Sequence, residues 1–212
     1  MLRNSIQKLI ILAIFAVVFS SCKKDDTTAL PANTDVLPAP VSDFVSQSMI
    51  DSLRSAGATI NTGVTPPVAN GIYLQTHDSC IYDNNNPASV GALFSDYKFK
   101  FSNQNNTAFT VDVAQKTVPG GAISSTPVYS FISGSGNKFS IFIIRTTTLN
   151  GTHVQQYNVL SGTVAAGGIQ DFQNTLYMRS KENDPTNTVV PAGTIRVFVT
   201  GAPGLATTSS TF

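Results

Sequence analysis

From residue 70 onward the chain alternates. In 96–102 (DYKFKFS) Tyr97, Phe99 and Phe101 share one parity while Lys98 and Lys100 take the other. Phe109, Val111 and Val113 likewise oppose Thr110 and Asp112. Successive side chains of a strand point to opposite faces, so this pattern marks a sheet with one face buried and one wet. The same reading places strands at 71–76, 96–102, 107–115, 127–132, 138–146, 152–163, 171–180 and 193–200. Lys138 to Ile144 is apolar at both parities, which predicts a central strand or one covered by a helix. Asn150-Gly151, Pro119-Gly120-Gly121, Gly134-Ser135-Gly136-Asn137 and Asn183-Asp184-Pro185 supply hairpin and turn chemistry between the strands. Eight strands in about 130 residues, with short turns, predict a mainly β fold. It is either an antiparallel eight-stranded barrel or a two-sheet β-sandwich.

One short helix precedes the strands. It is predicted over 42–56, with Ser42 as N-cap, Asp43 in the first turn, Arg54 in the last and Gly57 at C′. Val41, Phe44, Val45, Met49 and Leu53 fall near one face at 3–4 spacing. That stripe suits docking on a β core; a membrane-surface helix would carry a basic rim, which is missing here. Residues 23–40 hold Pro31, Pro38 and Pro40 and little that could pack, so they read as a tether. The segment 201–212, rich in Gly, Ser and Thr, reads as a loosely held tail.

Charge narrows the partners. Net charge is +1, so no basic field points to nucleic acid. Charged residues make up only 12% of the 212, and there is a single Glu, Glu182, which excludes a coiled coil. Ser, Thr, Asn and Gln (22, 24, 16 and 9) take the place of charge.

The N-terminus reads as an address. Arg3 and Lys8 precede Leu9 to Phe19, an unbroken apolar run of 11 residues, followed by Ser20, Ser21 and Cys22. This is the layout of a secretory signal peptide, and the run is short for a membrane span, which takes ~20 residues. Phe19-Ser20-Ser21-Cys22 resembles the lipobox of bacterial lipoproteins, with Phe where Leu is commoner. The resemblance implies cleavage before Cys22 and its acylation (palmitate among the chains), and two or more chains hold a membrane stably. Cys22-Lys23-Lys24-Asp25-Asp26 is similar to the start of many Bacteroidota lipoproteins. That implies anchoring in the outer membrane, facing the cell surface, with the periplasmic face as the alternative. The expected organisation is a lipoprotein signal peptide over 1–21 and a lipidated, Pro-rich tether over 22–40. A helix packed on the β domain follows over 41–60, and the antiparallel β domain over 61–212.

Catalytic constellations are not apparent. The two histidines, His77 and His153, have no recognisable triad partner, and no Gly-x-Ser-x-Gly elbow is present. Spacings of structural zinc sites are missing. Asp83-Asn84-Asn85-Asn86-Pro87 is oxygen-rich, but it suits a turn better than a Ca²⁺ loop. Asp78, Asp83, Asp96, Asp112, Asp171, Glu182 and Asp184 include no pair singled out by spacing for glycoside hydrolysis. Cys80 is left alone if Cys22 is acylated, and its apolar neighbours favour burial over reactivity. The expectation is therefore no catalytic, metal or cofactor-binding residue, with Cys22 as the lipidation site.

Gly71-Ile72-Tyr73 after a helix, with Arg196 in the last strand, is similar to the calycin and lipocalin layout, with Tyr where Trp is usual. In that family the aromatic packs against the Arg at the barrel base, so the resemblance implies a calycin-like barrel. The segments 55–63, 66–73 and 131–139 look like those of small uncharacterised Bacteroidota lipoproteins, which brings no activity. Together these imply a non-catalytic binding module for a small apolar or amphiphilic ligand. The alternative is a structural, assembly or adhesion component of the outer membrane acting through protein partners.

Overall fold

The computed structural model describes residues 36–121 and 129–212. The signal peptide, Cys22 and most of the tether expected from the sequence lie outside the described residues, as do the first two residues of the strand expected at 127–132.

Eight passes of chain build one antiparallel sheet. The first is β1 (Gly71–Gln75), a bend at 76–78, then β2 (Ser79–Asp83). The next six are β3 (Asp96–Asn105), β4 (Thr110–Val118), β5 (Tyr129–Ser135), β6 (Lys138–Leu149), β7 (Thr152–Ala165) and β8 (Gly168–Glu182). The last is β9 (Ile195–Val199), a break at 200–204, then β10 (Leu205–Thr208). The ladder order is β10-β1-β3-β4-β5-β6-β7-β8-β9-β2, and β10 also pairs with β8, which closes the sheet into a ring. Tyr73 faces Thr208 on one side of β10, and Ile169 faces Ala206 on the other.

The eight expected strands are these eight passes. Two pieces differ from expectation. Ser79–Asp83 lies between the strands predicted at 71–76 and 96–102, and Leu205–Thr208 in the segment read as a loose tail; both are strands. They exist because the first and last passes bend at the same level, where the Gly201 amide donates to the Thr76 carbonyl at 3.3 Å. Beyond the bend β2 pairs with β9, and its other side is bonded to the run into β3, through Gly91 N to Cys80 O (2.8 Å) and Phe94 N to Asp78 O (2.7 Å). Among the described residues β4 and β5 share the ladder pair Thr110 and Phe131. Asn150-Gly151 makes the β6–β7 hairpin turn, both at positive φ (50° and 81°), the geometry that two-residue hairpins need.

Inward side chains fill the base of the ring. Tyr73, Phe99, Phe101, Val111, Val113, Ile132, Phe139, Ile141, Ile143, Leu160, Ile169, Phe172 and Ala206 form one buried cluster drawn from all eight passes. Phe99 and Phe172 meet edge to face at 5.2 Å, and Phe101 and Phe139 at 6.2 Å. Each such fully buried side chain contributes ~1.5–3 kcal/mol. An eight-stranded ring is just wide enough to be filled in this way.

The outer face of β5–β9 is covered, as the two-sided apolar pattern of 138–144 requires. The cover is two helices rather than one: α1 (Ala39–Ser42) and α2 (Gln47–Ser55). Ser46, not Ser42, caps the longer helix, accepting from the Met49 amide at 3.3 Å. Gly57 follows the Ala56 C-cap at φ +88°, at the expected C′ position. Val41, Val45, Ile50 and Leu53 pack on Phe142, Ile144, Tyr157, Val159, Ile195 and Val197. Leu37 joins this cluster, so the packed domain starts before residue 40, where the tether was expected to end.

Below the helices, residues 57–65 strap across the same face. Ser133, Ser140, Ser161 and Gln173 stand in one register row across β5–β8. Their small polar side chains let a backbone lie close. Ser133 Oγ donates to Asn61 O (2.6 Å), and Asn61 N donates to Ser140 Oγ (2.8 Å). Ser161 Oγ donates to Thr59 O (2.6 Å), and Thr59 N donates to Gln173 Oε1 (2.7 Å). Ser140→Ala leaves the Asn61 amide without its acceptor, which costs ~1–3 kcal/mol in a buried setting. Urea unfolding checks this against Ser95→Ala, an exposed site expected to stay within ~0.5 kcal/mol of the parent.

Candidate functional site

Above the apolar plug the inward parity turns polar. Two residues beyond Tyr73 on β1 stands Gln75; beyond Phe99 on β3, Tyr97; beyond Val113 on β4, Gln115. Beyond Ile143 on β6 stands Arg145; beyond Leu160 on β7, Asn158; beyond Phe172 on β8, Asn174. Gln75 is 0% exposed, Asn158 7%, and Arg145 and Asn174 8% each. This is a belt of amides, a phenol and a guanidinium inside the ring, set just above packed phenylalanines.

The bend at 76–78 adds an acid. A regular strand would send Thr76 and Asp78 to one face, opposite Gln75 and His77. Here His77 adopts φ +54° and is exposed, while Asp78 is 1% exposed. Gln75 Nε2 donates to Asp78 Oδ1 at 2.7 Å. Burial, with a smaller contribution from the Asp96 charge, raises the Asp78 carboxyl to about 7. Burial, then the charge of Asp78, raises the Tyr97 phenol as well. Asp96 itself accepts from the His77 amide at 2.9 Å, which holds the bend.

Arg145 enters from the other side of the belt. Its Nη2 donates to Gln115 Oε1 at 2.8 Å. Burial lowers its ionisation to about 10, which still leaves it cationic at neutral pH. Two acceptors in the belt have no hydrogen-bond partner: Gln75 Oε1 and Asn174 Oδ1. A buried amide oxygen without a donor costs ~1–3 kcal/mol, so native interiors leave few of them.

Of the acids, histidines and cysteine that stand out in the sequence, Asp78 and Asp96 lie at the belt, and those that follow do not. Asp83 Oδ1 accepts from the Asn85 and Asn86 amides (2.9 Å each), and Oδ2 from Ser89 Oγ (2.9 Å), with Arg196 Nε also at 2.8 Å. Burial works to raise this carboxyl, but those donors and the Arg196 charge hold it below the usual range. Its oxygens are taken by the turn. Arg196 is therefore spent on Asp83 and does not meet Tyr73, whose hydroxyl donates to Ala69 O at 3.1 Å and whose ring lies 5.5 Å from Phe101. The tyrosine half of the calycin comparison sits at the closed base; the arginine half does not. His153 is exposed on β7, 3.1 Å from Thr148 Oγ1. Cys80 is 1% exposed and packs as a small buried group. Asp184 ties its own turn together through Lys181 Nζ (2.8 Å) and the Thr188 and Val189 amides, which holds its carboxyl well below the usual range. Among the described residues no three His, Cys, Asp or Glu side chains are grouped to hold a metal.

The polar belt was not singled out from the sequence, although the signal is there. Each member is a polar residue at a parity otherwise filled by Phe, Ile, Val, Leu or Tyr. No family model, curated protein or solved structure matches this chain.

Proposed function

We propose that this protein is an exported, lipid-anchored binding module that holds a small amphiphilic ligand in the polar belt of its ring. The observation that supports this most is the pair of buried acceptors, Gln75 Oε1 and Asn174 Oδ1, left without donors in a layer that also holds Arg145 and Asp78. An eight-stranded ring can enclose one small ligand as well as side chains. The polar belt above the packed Phe99, Phe101 and Phe172 suits the head of such a ligand. Neither histidine joins the belt, which favours binding over catalysis. The anchor is Cys22 and the place is the outer membrane, at the cell surface; the short apolar run, the lipobox-like segment and the Lys-Lys-Asp-Asp that follows support both. Among the described residues no helix is long and apolar enough to cross a membrane.

A second reading, an assembly or adhesion component working through protein partners, is favoured by apolar side chains exposed near β2. Leu93 is 67% exposed, Val90 51%, Ile81 40% and Phe94 37%. Native mass spectrometry of the full chain, extracted in mild detergent, separates the two. The binding reading expects an added mass of a few hundred daltons that leaves on denaturation and is missing from Asn174→Leu. A clean unliganded mass with a co-extracted protein partner overturns it in favour of the second.

A further inference from the structure

The ring has two ends that differ in charge and in what they expose. At the closed base, residues 63–70 leave the outer face and cross from β5 to β1. Val64 bridges to Gly134, and Thr65 N donates to Gly134 O at 3.0 Å. Farther along, Asn106 Nδ2 donates to Pro66 O (3.0 Å) and Gln104 Nε2 to Pro67 O (2.7 Å), so the turn after β3 holds the crossing in place. Ala69 is fully buried there, while Val64 and Val68 are 52% and 68% exposed. Val36 joins this end: its carbonyl accepts from Gly63 N at 2.8 Å, and its side chain leaves it 45% exposed. The turns that share the base, 103–109, 135–138 and 165–168, contain no Asp or Glu and one Lys, Lys138. The crossing itself is uncharged. The far end carries Asp83, Asp96, Glu182 and Asp184. A lipid surface with anionic head groups repels carboxylates, attracts Lys and accepts apolar side chains at its interface.

Chain length points the same way. Thirteen residues, 23–35, separate Cys22 from Val36. A chain of that length spans ~20 Å as a coil and ~45 Å at full stretch. β6 alone runs 12 residues from the base to Leu149. That is ~40 Å along the strand, or ~30 Å of height at the usual tilt of ring strands. A tether of 13 residues seats the base on a membrane without tension. Seating the far end there would draw it out along the whole ring.

We propose that the closed base is the face turned to the lipid surface, with Val36, Val64 and Val68 resting at the head groups and Lys138 at the same end. This rests on the lipid anchor at Cys22 proposed above. It deepens that reading by fixing an orientation, in which the loops after β2 and β8 point away from the bilayer.

The experiment uses the full acylated chain in vesicles of phosphatidylethanolamine and phosphatidylglycerol. A fluorophore is attached at Val68→Cys, at Ala166→Cys in the β7–β8 turn, or at Leu149→Cys; Cys80 is 1% exposed and stays unlabelled. A nitroxide on the lipid head group quenches both base labels at least about threefold more than the Leu149→Cys label, because the height of the ring separates them. Val64→Glu combined with Val68→Glu leaves flotation with the vesicles unchanged. It lowers quenching of the Ala166→Cys label at least about threefold, since two carboxylates then face an anionic surface. Equal quenching at the two ends, or stronger quenching of the Leu149→Cys label, overturns the orientation while flotation keeps the anchor. If the parent chain floats no better than Cys22→Ala, the anchor falls and the orientation with it. Shielding of the base labels in detergent alone, in step with protein concentration, shows that the base meets a second copy and overturns the lipid surface.

Discussion

Asp78→Asn is expected to make the protein more stable at pH 8 and to remove most of its loss of stability between pH 4 and pH 7. The Asp78 carboxyl is 1% exposed, and burial with Asp96 nearby raises it from 3.8 to about 7. In the unfolded chain it ionises near its ordinary value, so between the two the folded state binds more protons than the unfolded. Stability then falls as pH rises through this window, in full below pH 3.8 and lost above about 7. At 1.36 kcal/mol per pH unit the loss amounts to ~4 kcal/mol as an upper bound. Asp83 and Asp184 run the other way, because both are held below their ordinary values. Their contributions are lost as pH falls through the acid range, so they do not mask this window. The asparagine keeps the shape and can still pair with Gln75 without a charge to bury. Urea titrations at pH 4, 5.5, 7 and 8 measure the difference. If parent and variant slopes coincide between pH 4 and 7, the buried acid is not the cause.

Gly168→Ala is expected to cost about 3 kcal/mol or more and to open the ring. A Cβ on Gly168 would stand 2.0 Å from the Ala206 carbonyl oxygen and 3.1 Å from Thr207 Cα. These are backbone atoms of β10, which is bonded to β8 on one side and β1 on the other, so they cannot yield without disturbing the closure. Gly167→Ala is the control. Its Cβ meets nothing within 4 Å, and only the left-handed φ of +85° is penalised, at ~1–2 kcal/mol. Amide exchange of Thr207, Thr208 and Leu74 distinguishes ring opening from general weakening. Equal losses in the two variants would place the closure elsewhere.

Much of this was legible in the sequence, for a physical reason. A half-buried strand writes its two faces at period two, and Tyr97-Lys98-Phe99-Lys100-Phe101 does so without interruption. The two-sided stretch 138–144 announced its cover, and Phe142 and Ile144 do lie under the helices. The bends at 76–78 and 200–204 were not legible. Each half-pass beyond a bend has only four or five residues, too few for a period to show. Ser42 and Ser46 are equally good caps by chemistry, and packing of Val41 and Val45 decides between them. The belt was hidden in a different way. Gln75, Gln115, Arg145, Asn158 and Asn174 look like ordinary strand polar residues until their parity is counted from the nearest buried neighbour.

The closing pair has a consequence for the order of events in time. β10 is contributed by residues 205–208 and meets β1 at residues 73 and 74, so the last strand made must find the first. A chain that leaves a ribosome, or threads through a translocon, from its N-terminus holds seven passes before the eighth arrives. Until then β1 and β8 each present an open edge, the kind of surface on which other chains pair. Such non-local closure is slow. The interval before it is when these edges are open to other chains, and the pairing of residues 205–208 with both edges ends it.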